Sequence, residues 1–186
     1  MQKTLKRQKY GFTLLEIMIT TAIMAVIGIL ISQVFFTTTR VNTKTELLKD
    51  MKQNGQFAMD TMSRMIRASH EINSACTTNG SQASSIQITN PDGQMTTFGC
   101  SLDASTGATR IASTSAYSGQ SDYLTSKNVS LGSASCSGAS LVFTCTSSPD
   151  QPSRVKVTYT LRQIGSPNDS FGTASQTFET TVSVRN

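Results

Sequence analysis

The chain has no tryptophan and a single histidine, His70. Histidine is the most frequent general base and a very common zinc ligand, so one histidine argues against a Ser–His–Asp triad and against a zinc site. The sequence also has no Gly-rich phosphate-binding loop. These absences argue against the common enzyme classes, and we predict a protein without catalytic residues, metal or cofactor.

Charged residues are absent from positions 17–39, and Glu16 immediately precedes this apolar run. A helix needs about 20 apolar residues to cross the hydrocarbon core of a bilayer, so the run is long enough to span it. An ionised carboxylate at the edge of such a segment costs several kcal/mol unless an opposite charge compensates it. The pattern predicts a membrane-spanning helix over residues 12–39 and a partner for Glu16.

Acidic residues are also absent from the first fifteen positions, which contain Lys3, Lys6, Arg7 and Lys9. Positive charge beside an apolar span stays on the cytoplasmic side, so we expect the rest of the chain outside. A secretory signal places its cleavage site after the apolar segment, whereas the candidate site here, Gly11, precedes it. A signal-anchored single-pass protein would share the basic run, so both alternatives remain open on this evidence.

The stretch Gly11-Phe12-Thr13-Leu14-Leu15-Glu16, with the apolar residues that follow it as far as Gly28, closely resembles the type IV pilin and type II secretion pseudopilin superfamily. The resemblance implies that a prepilin peptidase removes residues 1–11 by cutting after Gly11 and that Phe12 is then N-methylated. It also implies that Glu16 neutralises the N-terminal amine of a neighbouring subunit. The precursor is then expected in the inner membrane with its head in the periplasm.

The four cysteines all lie beyond the apolar segment, at Cys76, Cys100, Cys136 and Cys145. An even number in an oxidising compartment predicts two disulfides, for which three connectivities exist. We favour the pairs that close the shorter loops, Cys76–Cys100 and Cys136–Cys145.

Residues 40–70 continue the helix as an amphipathic segment. Apolar or small residues recur at spacings of three and four, which predicts one buried stripe. Its members are Leu48, Met51, Gly55, Ala58, Met62 and Met65. Glycine lowers helix propensity by about 1 kcal/mol, so Gly28 and Gly55 are candidate points of kinking or unwinding.

Residues 71–186 are rich in Ser, Thr, Gly and Asn and contain alternating segments that predict strands. Residues 85–89 and 94–98 flank the turn sequence Asn90-Pro91-Asp92-Gly93 and predict a hairpin. A further strand is predicted at 141–145. Strands at 154–161 and 178–184, separated by a turn at 165–169, are expected to pair antiparallel. The aspartates are predicted to stabilise turns, because no regular spacing supports a calcium site; they are Asp92, Asp103, Asp122, Asp150 and Asp169.

Together these elements predict an α+β pilin fold. In this fold the C-terminal half of a long N-terminal hydrophobic helix packs on an antiparallel β-sheet head, residues 71–186. The helix segment that runs from 53–57 through 66–68 and the ending at 178–186 resemble minor pilins and the J-type minor pseudopilin. The resemblance implies a structural subunit that initiates a type IV pilus or lies at its tip. The alternative is the same role in a type II secretion pseudopilus.

A DNA- or surface-binding tip module is a second hypothesis, and a membrane-anchored enzyme is a third. The formal net charge is +5, and the four leader cations account for most of it, so the composition shows no basic surplus typical of nucleic-acid binding. The head cations are dispersed in sequence, which weakens the binding hypothesis; they are Arg110, Lys127, Arg154, Lys156, Arg162 and Arg185.

Overall fold

The computed structural model describes residues 11–74, 76–149, 151–164 and 174–184, with the side chain of Thr43 excepted. Outside these residues lie positions 1–10 of the predicted leader, the predicted turn at 165–169, Asp150 and Arg185. The chain divides into two compact units between Asn42 and Thr43. Helix α1, Leu14–Ala68, is the only element of the first unit that the structure describes and continues into the second.

The strands occupy the second unit. In chain order they are β1 (Glu71–Ile72), β2 (Ser81–Ala83), β3 (Ile86–Thr89), β4 (Met95–Asp103), β5 (Ala108–Ser115), β6 (Ser121–Tyr123), β7 (Val129–Ser130), β8 (Val142–Ser148), β9 (Gln151–Gln163) and β10 (Ser175–Ser183). A short 3₁₀ helix covers Cys136–Gly138. Sheet 1 has the order β1-β3-β4-β5-β6, and sheet 2 has the order β10-β9-β8-β2, with β7 paired to the end of β9. All neighbouring strands run antiparallel.

The predicted α+β architecture is therefore confirmed, including two of its strand pairings. The hairpin forms between β3 and β4, where Gly93 adopts a φ of 80° and the Asp92 carboxylate accepts a hydrogen bond from the Gln94 amide. Strands β9 and β10 pair along nine positions, from Arg154 opposite Ser183 to Arg162 opposite Ser175. The sequence analysis missed β5, whose polar and small residues do not alternate visibly.

One apolar core lies between the second half of α1 and both sheets. Met51, Ala58 and Met62 are buried as predicted, but Leu48 is 38% exposed. Met59 and Ile66, which the predicted stripe did not include, are also buried. The helix stripe is wider than a strict three-four pattern because two sheets cover it rather than one.

Gly55 does not unwind α1, which is helical through both Gly28 and Gly55. Its role is close approach: a Cβ atom at Gly55 would lie 2.1 Å from the ring of Phe178. Phe178 stacks on Tyr159, whose hydroxyl donates a 2.6 Å hydrogen bond to the Gly55 carbonyl. Burial raises the pKa of the Tyr159 hydroxyl, so this donor stays protonated. Gly55 thus lets sheet 2 dock directly on the helix backbone.

The predicted disulfide pairing is wrong. The bridges are Cys76–Cys145 and Cys100–Cys136, with Cα–Cα distances of 4.8 and 5.5 Å. The parallel bridge of Thr77 with Thr146 joins the residue after Cys76 to the residue after Cys145, although the two cysteines are 69 positions apart. Strand pairing, not loop length, decides which cysteines meet.

Candidate functional site

The segment that enters α1 contains the residues predicted to be processed. Gly11 and Phe12 precede the helix, and the Phe12 side chain is 77% exposed. Thr13 occupies the N-cap position, because its hydroxyl accepts a 3.3 Å hydrogen bond from the Glu16 amide. The Thr13 carbonyl accepts further bonds from the amides of Glu16 and Ile17, at 3.1 and 3.2 Å. The helix therefore starts immediately after the predicted cleavage junction.

Thr13 and Glu16 have the Thr-x-x-Glu spacing of a capping box, in which a side chain at each position satisfies amides of the first helical turn. The structure shows the threonine half of this arrangement. Glu16 also lies in the first turn of α1, where the helix dipole favours negative charge. The sequence analysis missed the role of Thr13, although the spacing to Glu16 was the signal that could have revealed it.

In the described structure every residue from 11 to 42 is exposed, including the apolar run that follows Glu16. The hydroxyl groups in this stretch bond to helix carbonyls three or four residues earlier, so they do not require water. These residues are Thr20, Thr21, Ser32, Thr37, Thr38 and Thr39. Helix α1 is the one described helix long and apolar enough to cross a membrane.

Glu16 is the only charged residue between Gly11 and Thr39. The structure gives it no ion pair with any residue that it describes. A carboxylate that moves from water into an apolar environment needs an opposite charge, and removal of that partner from a buried pair costs about 3–5 kcal/mol. The geometry thus leaves Glu16 available to a cation that this chain's described part does not supply.

In the head, Arg110 is not a free surface cation. Its guanidinium forms a 2.7 Å ion pair with Asp103, donates to the Thr125 carbonyl and lies 4.1 Å from the ring centroid of Tyr123. The Asp103 carboxylate also accepts hydrogen bonds from the Ser105 hydroxyl and amide. These Ser105 bonds and Arg110 hold the pKa of Asp103 well below its usual range. Arg110 is therefore a structural residue and is removed from the predicted binding cations.

The other predicted positions are spread over the head. Asp92 caps its turn as predicted, and Lys156 pairs with Glu179 on the neighbouring strand at 2.9 Å. His70, which follows the helix end, is exposed. Among the described residues, no three His, Cys, Asp or Glu side chains come close enough together to hold a metal ion.

The chain's similarity to known proteins is confined to the N-terminal segment. Residues 6–32 match the family signature described as the prokaryotic N-terminal methylation motif. No curated protein and no solved structure shows significant similarity to the chain. The matched residues include Gly11, Phe12, Glu16 and the first part of the exposed apolar helix. The N-terminal segment of the chain therefore carries the methylation motif found in type IV pilins and pseudopilins.

Proposed function

We propose that the chain is a minor-pilin-like structural subunit, cleaved after Gly11, N-methylated at Phe12 and assembled into a type IV pilus through its N-terminal helix. The observation that carries this proposal is the exposed, charge-free helix segment of residues 17–39. It directly follows Glu16, whose amide donates a hydrogen bond to the N-cap residue Thr13. Lipid covers this surface before assembly, and the helices of other subunits cover it afterwards. The partners are a prepilin peptidase and other pilins or pseudopilins.

The charge chemistry supports the role proposed for Glu16. Cleavage after Gly11 creates a positive amine at Phe12, four residues before the carboxylate. In an apolar filament core an amine of one subunit and Glu16 of its neighbour would compensate each other. Such a pair fixes the axial register of two helices, since neither charge is stable alone in an apolar environment.

Analysis of the N-terminus tests the processing step. We expect intact-mass and N-terminal analysis of protein from its native membrane to show a chain that starts at N-methylated Phe12. Changing Gly11 to a bulky residue should leave the uncut precursor in the membrane. A Met1 start in cells with an active prepilin peptidase would overturn the proposal and favour a signal-anchored protein.

Glu16→Ala tests the assembly step separately. We expect normal cleavage and membrane insertion but strongly reduced incorporation into filaments, because the neighbour's amine loses its counter-charge. Glu16→Gln keeps the shape of the side chain and should show the same defect, whereas Thr20→Ala, one helical turn further on, should assemble normally. If either Glu16 variant entered filaments as well as wild type, charge compensation would be wrong.

The alternative machine is a type II secretion pseudopilus, in which the chain would be a J-like minor subunit. Both assignments use the same N-terminal segment, so filament content distinguishes them. We expect the mature chain in sheared surface pili at a small fraction of the major subunit. Its absence from pili, together with a secretion defect when the gene is deleted, would favour the pseudopilus.

A further inference from the structure

The two sheets end on strands of unequal length. Strands β1 and β6 close sheet 1 with two and three residues, and β2 closes one end of sheet 2 with three. Strand β10 closes the other end of sheet 2 with nine residues, Ser175–Ser183. Long unpaired edge strands act as templates for further strands, and proteins usually keep such edges short or block them. Strand β10 is therefore the exception among the sheet ends that the structure describes.

The register shows which backbone groups of β10 are free. The Gln163 amide donates to the Ala174 carbonyl and the Val184 amide donates to the Ser153 carbonyl, both at 3.0 Å. In an antiparallel pair such bonds recur at every second residue, so the even-numbered residues of β10 bond to β9. The odd-numbered residues direct their N–H and C=O groups away from the sheet; they are Ser175, Thr177, Glu179, Thr181 and Ser183. No backbone hydrogen bond from another described residue reaches these groups.

The β10 edge, as we call the outward N–H and C=O groups of these five residues, lacks the features that usually prevent strand addition. Proline and β-bulges prevent it, but β10 contains no proline and its nine residues pair with β9 without a break in register. Its one charged residue, Glu179, forms a 2.9 Å ion pair with Lys156 inside the same sheet. At about 3.4 Å per residue the edge extends over about 27 Å, which is room for a full additional strand.

We propose that the β10 edge binds an edge strand of a different subunit in the same filament and so extends sheet 2 across the subunit boundary. Only an extended backbone presents donors and acceptors at the spacing that the edge requires, which makes a β-strand the fitting partner. The inference rests on the proposed assembly into a filament, because anchoring through the N-terminal helices raises the effective concentration of neighbouring heads and compensates for the weakness of a single added strand.

The charge of Glu179 favours a different subunit over a second copy of the chain. If two copies paired antiparallel through all five outward residues, Glu179 of one copy would lie opposite Glu179 of the other. Like charges directly opposite each other destabilise a strand pair. A partner strand with Lys or Arg opposite Glu179 would instead add an attractive cross-strand pair. The neighbours of Glu179 on the solvent face, Thr177 and Thr181, are exposed and suit a partner with hydroxyl side chains beside that cation.

Proline at position 181 tests the edge without breaking sheet 2. The Thr181 amide points outward, so Thr181→Pro removes a donor from the β10 edge and leaves the hydrogen bonds to β9 in place. We expect normal cleavage and membrane insertion, but at least about fivefold less of the variant than of wild type in sheared filaments, because main-chain hydrogen bonds supply the affinity of an added strand. The matched control is Ser121→Pro, which removes an outward amide from β6 and should be incorporated within about twofold of wild type.

Thermal unfolding of both mature variants in detergent establishes that their heads are intact. Equal loss of incorporation for Thr181→Pro and Ser121→Pro would overturn the role of the β10 edge, and so would normal incorporation of Thr181→Pro. A wild-type chain that is cleaved but absent from filaments would overturn the proposed assembly itself, which is a separate result.

Photo-crosslinking in sheared filaments identifies the partner without a change of backbone. A benzoylphenylalanine residue in place of Thr181 should form an adduct with a different subunit. The same residue in place of Thr144, on the central strand β8, should give a much lower yield, because β2 and β9 flank that position. Equal yields at the two positions would overturn the β10 edge as the contact, and an adduct with a second copy of the chain would overturn the choice of partner.

Discussion

The helical residues before Asn42 expose every side chain, whereas the second unit buries an apolar core between α1 and two sheets. The first region has Ile, Leu, Val and Phe in excess but no second element against which to pack them. The second has a lower share of apolar residues, yet its helix stripe and its strands bury a set of them in one core. Apolar content alone therefore does not predict a core, because a core also needs elements that face each other.

Helix α1 contributes residues to both regions, but its pattern of apolar and charged residues differs between them. Up to Thr39 it is apolar on all sides, which is typical of a helix surrounded by lipid or by other helices. From Met51 it buries one stripe and leaves its charged residues exposed. The stability of the first region depends on its surroundings, and that of the second depends on its own contacts.

Removal of the disulfides should give the largest difference in stability between the two regions, because both bridges lie in the head. Their loops of 69 and 36 residues predict losses of about 4.4 kcal/mol for Cys76→Ser/Cys145→Ser and about 3.8 kcal/mol for Cys100→Ser/Cys136→Ser in the chain-entropy model. Chemical denaturation of the head measures both values, and membrane insertion of the helix should be unchanged. A head whose unfolding free energy does not change on reduction would contradict the bridges.

The two helix glycines offer a matched pair of single substitutions. Gly55→Ala should destabilise the head by about 1–3 kcal/mol, because the new methyl group overlaps the Phe178 ring. Gly28 has no atom within 4 Å of an added Cβ in the described structure, so Gly28→Ala should leave the head unchanged and raise helix propensity. Denaturation midpoints of both variants test this, and equal midpoints would mean that Phe178 can move aside.

Acid should weaken the head through Asp103. Its pKa is lowered in the folded state by the Ser105 bonds and by Arg110, so it contributes stability above the pKa of the unfolded chain, about 4, and loses that contribution as the pH falls further. Asp103→Asn should lower stability at neutral pH and flatten this dependence. We expect little change for Glu179→Gln, because the Lys156–Glu179 pair has side chains 46% and 55% exposed. A steep acid transition that persists in Asp103→Asn would contradict this assignment.

The sequence analysis predicted most of what depends on neighbouring residues. Three of its signals are local, and each corresponds to an observed element. They are the absence of charged residues over 17–39, the turn sequence at Asn90–Gly93 and the alternation of apolar and polar residues in β9 and β10. The processing residues Gly11, Phe12 and Glu16 also stand in one short motif. Strand β5 and the wider helix stripe were missed, because their burial depends on contacts with distant strands.

The sequence by itself determined the long apolar helix, its single carboxylate and the strand-rich head, because each follows from the order of apolar, charged and turn-forming residues. Only the tertiary structure decided the disulfide pairs and the internal Arg110–Asp103 contact. These features join residues far apart in the chain or depend on strand register. The energy that selects them comes from burying the whole core at once, which no local pattern records.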